Sequence, residues 1–155
     1  MTDTLPDPIA RKIRASFDAQ SMMQTLGAAL VEIAPGRVQI AAPILPGSRQ
    51  QHGFAHAALP FAIGDSAAGY AALTLMPEPA EVLTSEIKIN LLAPGRGVRL
   101  LAEGRVIKPG RRLIVVTSDI WAEDETGQHK HIALIQGTMV PVHQGASPAS
   151  TTAAR

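Results

Sequence analysis

The sequence predicts an α+β domain in which a curled, mostly antiparallel sheet of about six short strands wraps one long buried helix. Three observations predict it. Residues 57–76, AALPFAIGDSAAGYAALTLM, are apolar almost all round and hold one charge, Asp65, the pattern of a helix buried on nearly every side. Pro-Gly pairs recur at 35–36, 46–47, 94–95 and 109–110 and punctuate apolar segments, as turns between short strands do. The segments follow one another as helix, two strands, long helix and four strands, without an internal repeat, and a single buried helix needs a sheet closed around it.

Ile9, Ile13 and Phe17 recur at i, i+4 and i+8, with Met22 or Met23 extending the stripe, so an amphipathic N-terminal helix is expected over about 9–25. Residues 28–34 and 37–42 form two short strands. Pro35-Gly36 between them supplies Pro at i+1 and Gly at i+2 of a type II turn. After the central helix, Ile87, Ile89 and Leu91 alternate with Glu86, Lys88 and Asn90, a half-buried strand over 82–92. Strands are expected at 98–107, at 112–122, whose β-branched run suits a central place, and at 130–142 beyond the polar turn Asp124-Glu125-Thr126-Gly127. Residues 1–143 make one domain, and the small polar tail 144–155 is expected to be disordered.

Bulk composition bounds the function. The chain has 155 residues, enough for one domain with a real core, and its 46% apolar and 17% charged content is that of a globular protein. A net charge of +1 and 3% aromatics argue against a nucleic-acid surface. The absence of Cys excludes disulfides, Cys-ligated zinc and thiol catalysis, and fits a cytoplasmic location. The N-terminal segment has early acids and prolines and no apolar core, unlike a signal peptide. Residues 57–76 are long enough for a membrane span, but Asp65, Gly64, Gly69 and Pro60 and the missing Trp or Lys/Arg anchors favour a buried core helix, and no membrane is expected as a partner.

The chemistry is expected where the polar turn QQHGFAH, Gln50 to His56, enters this helix. An Asp is almost never fully buried unless paired or working. If the helix starts near His56 or Ala57, its first N–H groups are unpaired and sit at the positive end of the helix dipole, where they can bind a developing oxyanion. Positions 57/58, 61 and 65 lie along one face, so Asp65 and the helix start can line one cleft. A carboxylate beside oxyanion donors can attack a carbonyl or activate water against it, which implies acyl-group hydrolysis.

QQHGFAHAALPFAIGDSAAGYAALTL, followed by TSEIKINLLAPGRG, resembles the hotdog-fold acyl-CoA thioesterases of the phenylacetate-degradation (PaaI-like) branch, over roughly residues 20–140. The family pattern is Asn or Gln, Gly three residues on, His-Gly-Gly, then Asp or Glu eight residues after the first Gly of that triplet. Gln50, Gly53, His56 and Asp65 match it, while Ala57 and Ala58 replace the two glycines. The basic strand and its exit, Lys88, Asn90, Pro94, Gly95 and Arg96, also resemble the family.

The resemblance implies a hotdog fold, no cofactor and no metal. It implies Asp65 as nucleophile or general base, the Ala57 N–H as the donor that polarises the thioester carbonyl, and Gln50 positioning water or substrate from the facing subunit. His56 fixes the turn geometry, and Gly53, Ala58, Ser66, Lys88, Asn90 and Arg96 are the further candidates for contact with acyl-CoA. A homodimer is the minimal unit and a homotetramer, a dimer of dimers, the expected assembly. Because an oxyanion hole uses the backbone N–H, and φ at a helix start is ordinarily negative, Ala57 can serve where the family has Gly.

Other readings stand beside these. Asp65 can be a structural acid bonded to backbone N–H groups. His52 and His56, at i and i+4, can form a metal pair with Asp65, although no third His lies nearby. Lys88, Arg96, Arg111 and Arg112 suit CoA phosphates or a solvated strand edge. His129 and His131, by a hairpin, read as solvated, and Trp121 as core or interface. Two alternatives to hydrolysis remain: a hotdog protein that binds acyl-CoA or another apolar ligand without turnover, and an acyl dehydratase or hydratase, which needs a general-base His paired with the Asp.

Overall fold

The alternation of β-branched and polar residues, broken by turns, builds a six-stranded sheet. The computed structural model describes residues 5–143, so the tail expected from Gln144 lies outside the described residues. Helices α1 (Asp7–Ala19) and α2 (Ser21–Thr25) precede strands β1 (Ala29–Ala34) and β2 (Arg37–Pro43). Helix α3 (Ala58–Leu73) follows, then β3 (Ala80–Leu91), β4 (Arg99–Lys108), β5 (Ile114–Glu123) and β6 (His129–His143). All neighbours are antiparallel, in the order β1-β2-β4-β5-β6-β3. Gly36, with φ +70°, supplies the positive φ of the β1–β2 turn. The architecture is the hotdog: a curled antiparallel sheet around one central helix.

Helix α3 packs on β2, β3, β4, β5 and β6. Its buried side chains are mostly small, Ala67, Ala68, Ala71 and Ala72 among them, which lets the sheet close in. The closest approach needs glycine: a Cβ at Gly104 of β4 would stand 2.2 Å from the Ala67 carbonyl carbon. One at Gly64 would stand 2.5 Å from Ile135 Cδ1. Ile63, Ile120, Ile132 and Ile135 complete this layer, each buried side chain of that size contributing about 1.5–3 kcal/mol. β5 lies between β4 and β6, as its β-branched run predicts, and its inward residues alternate from Ile114 to Ala122.

Three local expectations are revised. The N-terminal stripe is two helices, because Gln20 turns to an extended conformation between them (φ −78°, ψ 103°) and directs its side-chain amide to the Tyr70 hydroxyl at 2.5 Å. Ile13, Phe17 and Met23 are buried, while Met22 is exposed. In β3, Ile87 and Ile89 face the core but Leu91 is 56% exposed, since the strand's end passes beside an open cleft. His129 and His131 are not simply solvated. They stand 2.9 Å from Glu123 and 2.8 Å from Asp119, and the half-buried Trp121 lies against the His131 ring. Among the described residues no helix is long and apolar enough to cross a membrane.

β3 is an edge strand of 12 residues, with Leu83 and Leu91 exposed on it and Leu92 just beyond. Its row of unpaired backbone groups is a template for another strand. The opposite edge, β1, has six residues.

Candidate active site

The turn before α3 is closed by its own backbone. Gln50 N–H donates to Phe54 O at 2.9 Å, and Gly53 N–H to Gln50 O at 3.0 Å. Gly53 takes φ +85°, which only glycine adopts without strain. The Gln50 side-chain oxygen accepts the His52 N–H. His56 N–H donates to Ser48 O, and its ring Nδ1 accepts the Ala58 N–H at 3.0 Å, so the imidazole caps the helix and its own ring N–H in the neutral form is Nε2.

This cap selects one donor. At the helix start, Ala58 N–H is taken by His56, Leu59 N–H donates to His56 O, and residue 60 is proline. Among the described residues the Ala57 N–H has no acceptor. Ala57 is ordinary right-handed helical backbone, φ −54° and ψ −24°, so the position does not require glycine. It opens on a cleft of about 540 Å³ lined by Gln50, Phe54, Ala57, Leu91, Leu92 and Ile132, among others. The Arg96 guanidinium lies over the Phe54 ring, 4.4 Å from its centroid, at this cleft's rim.

Asp65 is two turns further on and half-buried. Burial pushes its carboxyl above the ordinary aspartate range, and a hydrogen bond from Thr84 Oγ1 to Oδ1, 2.8 Å, opposes that rise. Asp65 does not share the Ala57 cleft. It lines a second one of about 190 Å³, with Ser66, Gly69, Tyr70, Glu81 and Thr84. Phe61, one turn before Asp65 in the helix, is 37% exposed and lines neither cleft. The sequence expectation of a single cleft is therefore revised for one protomer: the turn brings Gln50, Gly53, His56 and Ala57 together, and Asp65 stays with Ser66 on the other side. Lys88 and Asn90 line neither cleft and alternate with the core-facing Ile87 and Ile89, so they point away from α3. The Ala58 donor is already spent on His56.

Among the described residues no group of three or more His, Asp or Glu stands close enough to hold a metal ion. Thr84 is the residue that sequence reasoning misses. It reaches Asp65 from β3, 19 positions along the chain.

A model of the thioesterase superfamily matches residues 52–128. A thioesterase family protein from Silicibacter pomeroyi is 42% identical, with a TM-score of 0.84 over 87% of this chain and 98% of that one. The chain belongs to the thioesterase superfamily. Two PaaI structures are among the proteins that share its hotdog fold. The PaaI protein of the E. coli phenylacetic acid degradation operon shares the fold at a TM-score of 0.78 and 19% identity, covering 90% of this chain and 96% of that one. A point mutant of the phenylacetic acid degradation protein PaaI from Thermus thermophilus is 26% identical, with a TM-score of 0.68 over 78% of this chain and 98% of that one. No curated protein matches the chain. This thioesterase is a thioester hydrolase, and the family match spans both the capped helix start and Asp65.

Proposed function

We propose that the protein hydrolyses acyl-CoA at a site assembled between two copies, with Asp65 of one copy facing Ala57 and Gln50 of the other. The observation that carries this reading is the state of Asp65: a half-buried carboxyl, raised by burial, with one hydrogen-bond donor on it. Such a group holds a proton more readily than a solvated aspartate and suits proton abstraction. The unpartnered Ala57 N–H supplies the complementary part, a fixed dipole for the carbonyl oxygen.

The two clefts flank the same edge strand: Thr84 contributes to one and Leu91 to the other. Antiparallel pairing of two β3 strands about a two-fold axis between Ile87 and Lys88 sets Thr84 of one copy opposite Leu91 of the other. That pairing satisfies the open edge, covers its leucines and closes each carboxylate onto a donor. Water held by Asp65 adds to the thioester carbon as Asp65 takes its proton. The tetrahedral oxygen rests on Ala57 N–H, with Gln50 beside it. Collapse expels CoA as the thiolate, which regains a proton, and the acid leaves. Direct attack by the Asp65 carboxylate, followed by hydrolysis of the anhydride, gives the same products. Thr84 holds the carboxylate, and Arg96 at the rim suits a CoA phosphate. A homotetramer follows as a dimer of such dimers, and the cysteine-free sequence suits the cytoplasm.

Ala57-Ala58 in place of the family's Gly-Gly favours one second reading, acyl-CoA binding without turnover. Free-thiol release from short, medium, long and aryl acyl-CoAs, with wild type beside Asp65→Asn, separates the two. Turnover lost in the variant supports hydrolysis at Asp65, and equal rates overturn that role. Ligand-induced thermal stabilisation without thiol release supports binding alone.

A further inference from the structure

Among the helix-α3 glycines, Gly69 lacks a packing reason. Gly64 sits against Ile135, where a side chain has no room. A Cβ at Gly69 would meet only Val82 Cγ1, at 4.0 Å, and the backbone there is not left-handed. Glycine is the poorest helix former after proline, so an interior glycine with neither a clash nor a special φ keeps a space open rather than permitting a contact. That space is the Asp65 cleft: Gly69 lies four residues on from Asp65, one turn along the same face, and both line it.

Beyond Gly69 the cleft ends on polar groups from another element. Ser16 and Gln20, on and just after α1, both bond the Tyr70 hydroxyl, at 3.0 Å and 2.5 Å, and all three line the cleft. Its remaining charge is acidic. Glu81 lines it, and the nearby cation, Lys12, is 3.2 Å from Glu81 and also bonds the backbone oxygens of Glu78 and Ala80. At about 190 Å³ the cleft has room for only a small group.

We propose that this cleft is the acyl subsite, that Gly69 keeps its floor open, and that its Ser16–Gln20–Tyr70 end selects a short, uncharged acyl group carrying a terminal hydroxyl. The proposal rests on the hydrolytic reading only for which end of the substrate enters. Asp65 and Glu81 disfavour a second carboxylate, Lys12 being held on Glu81. The polar end favours a ligand hydroxyl, which can use the hydrogen-bonding capacity that Ser16, Gln20 and Tyr70 keep beyond the two bonds they share, whereas a bare methyl covers that capacity without compensation.

The test uses full-length wild type, Gly69→Ala, Gly69→Leu and Gln20→Leu with acetyl-CoA, hexanoyl-CoA, 6-hydroxyhexanoyl-CoA and succinyl-CoA. Two readouts are taken: kcat/KM by thiol release, and the thermal shift each compound gives in an Asp65→Asn background. Gly69→Ala is expected to keep or raise Tm, by about 2–4 °C if its gain is that of an ordinary helix substitution. The hexanoyl-to-acetyl ratio is expected to fall at least tenfold in Gly69→Ala and further in Gly69→Leu. Gln20→Leu is expected to reverse a wild-type preference for 6-hydroxyhexanoyl over hexanoyl, and succinyl-CoA to be the poorest ligand. Unchanged ratios in both glycine variants, or a Tm lowered by Gly69→Ala, overturn the subsite. If thiol release is absent throughout, hydrolysis fails on its own, and the thermal shifts still decide whether Gly69 and Gln20 govern acyl binding.

Discussion

Asp65 and Glu103 are both carboxylates withdrawn from water, and they are treated in opposite ways. Glu103, 5% exposed on β4, receives Gln39 Nε2 at 2.5 Å, Arg37 Nη1 at 2.9 Å and Arg105 Nε at 2.6 Å. Burial acts to raise its carboxyl, but the bonds from Gln39, Arg105 and Arg37 carry it below the ordinary glutamate range. At Asp65 burial prevails, because among the described residues Thr84 is its one side-chain donor. A carboxylate with several donors is locked in its charged form and ties strands together. One with a single donor keeps lone pairs and proton affinity for a ligand. Glu103, held by three side-chain donors, is the carboxylate whose structural role is plain.

The largest effect expected is on turnover. Asp65→Asn keeps the shape and the Thr84 bond but removes the base, so thiol release should fall by about 10²–10⁴-fold, the usual worth of such a group. Stability should move the other way with pH. A carboxyl whose folded pKa is raised binds its proton more tightly when folded, so Asp65 increasingly opposes folding as pH rises from 3.8 through its raised value. Urea melts should therefore show Asp65→Asn gaining on wild type toward neutral pH, and a gain confined to acid would contradict the direction of the shift. Glu103→Gln reverses the pattern. Turnover should be unchanged, while stability drops by about 1–3 kcal/mol, the cost of losing charged hydrogen bonds whose partners partly reach solvent. Glu103 stabilises above pH 4.5 and loses that as pH falls through its lowered value, so the variant's deficit should vanish in strong acid. A Glu103→Gln protein as stable as wild type at pH 7 would dissolve the contrast.

The same contrast explains what the sequence makes legible. The central helix announces itself because apolar residues surround one charge, and its observed span, Ala58–Leu73, falls within 57–76. Pro-Gly spacing makes the strand count legible, and the Gln50–His56 turn is readable because Gly53 and His56 act within a few residues of themselves. The partners of both acids are not readable. β3 follows α3 in the chain but joins the far edge of the sheet beside β6, and nothing local encodes that jump. The register of β3 also shifts between Thr84 and Glu86, so the alternation that identifies the strand starts just after the residue that reaches Asp65. Glu103 looks like any outward charge on a strand, since its donors Arg37 and Gln39 lie on β2, more than 60 residues away. Helical spacing puts Ala57 and Asp65 on one face, but the two residues line separate clefts.

Thr84 sharpens the contrast at intermediate scale. Thr84→Val removes the hydroxyl while keeping the β-branched shape, so Asp65 loses its donor. Because that bond lowers the carboxyl's pKa, its loss should raise it further. The acidic limb of the kcat/KM profile should then move to higher pH. The maximum should fall by about tenfold, as expected for roughly 1.4 kcal/mol of lost positioning. Thr84→Ser should restore the limb. A variant with lower activity but an unmoved limb would make Thr84 a packing residue, leaving Asp65 shifted by burial alone.

The smallest effect expected is at Ala57, and it tests the other half of the site. The methyl group there stands where the pattern this sequence resembles has glycine, but φ of −54° leaves glycine's freedom unused, and the proposed donor is the backbone N–H, which both residues carry. Ala57→Gly should therefore leave turnover equal or a few-fold higher, any gain appearing with bulkier acyl groups as the methyl leaves the cleft mouth. The competing expectation is that Ala57 holds the single free N–H in place through its narrower conformational range. Glycine would then let that N–H wander, and the cost should approach the ~10²–10³-fold typical of losing an oxyanion donor. Gly53→Ala separates these accounts. Its φ of +85° is one that alanine resists, so it should disturb the His56 cap and with it the Ala57 donor. If both substitutions cost activity alike, the turn as a whole sets the donor's position. If Gly53→Ala alone does, the cap sets it, and the residue identity at Ala57 is incidental to the chemistry.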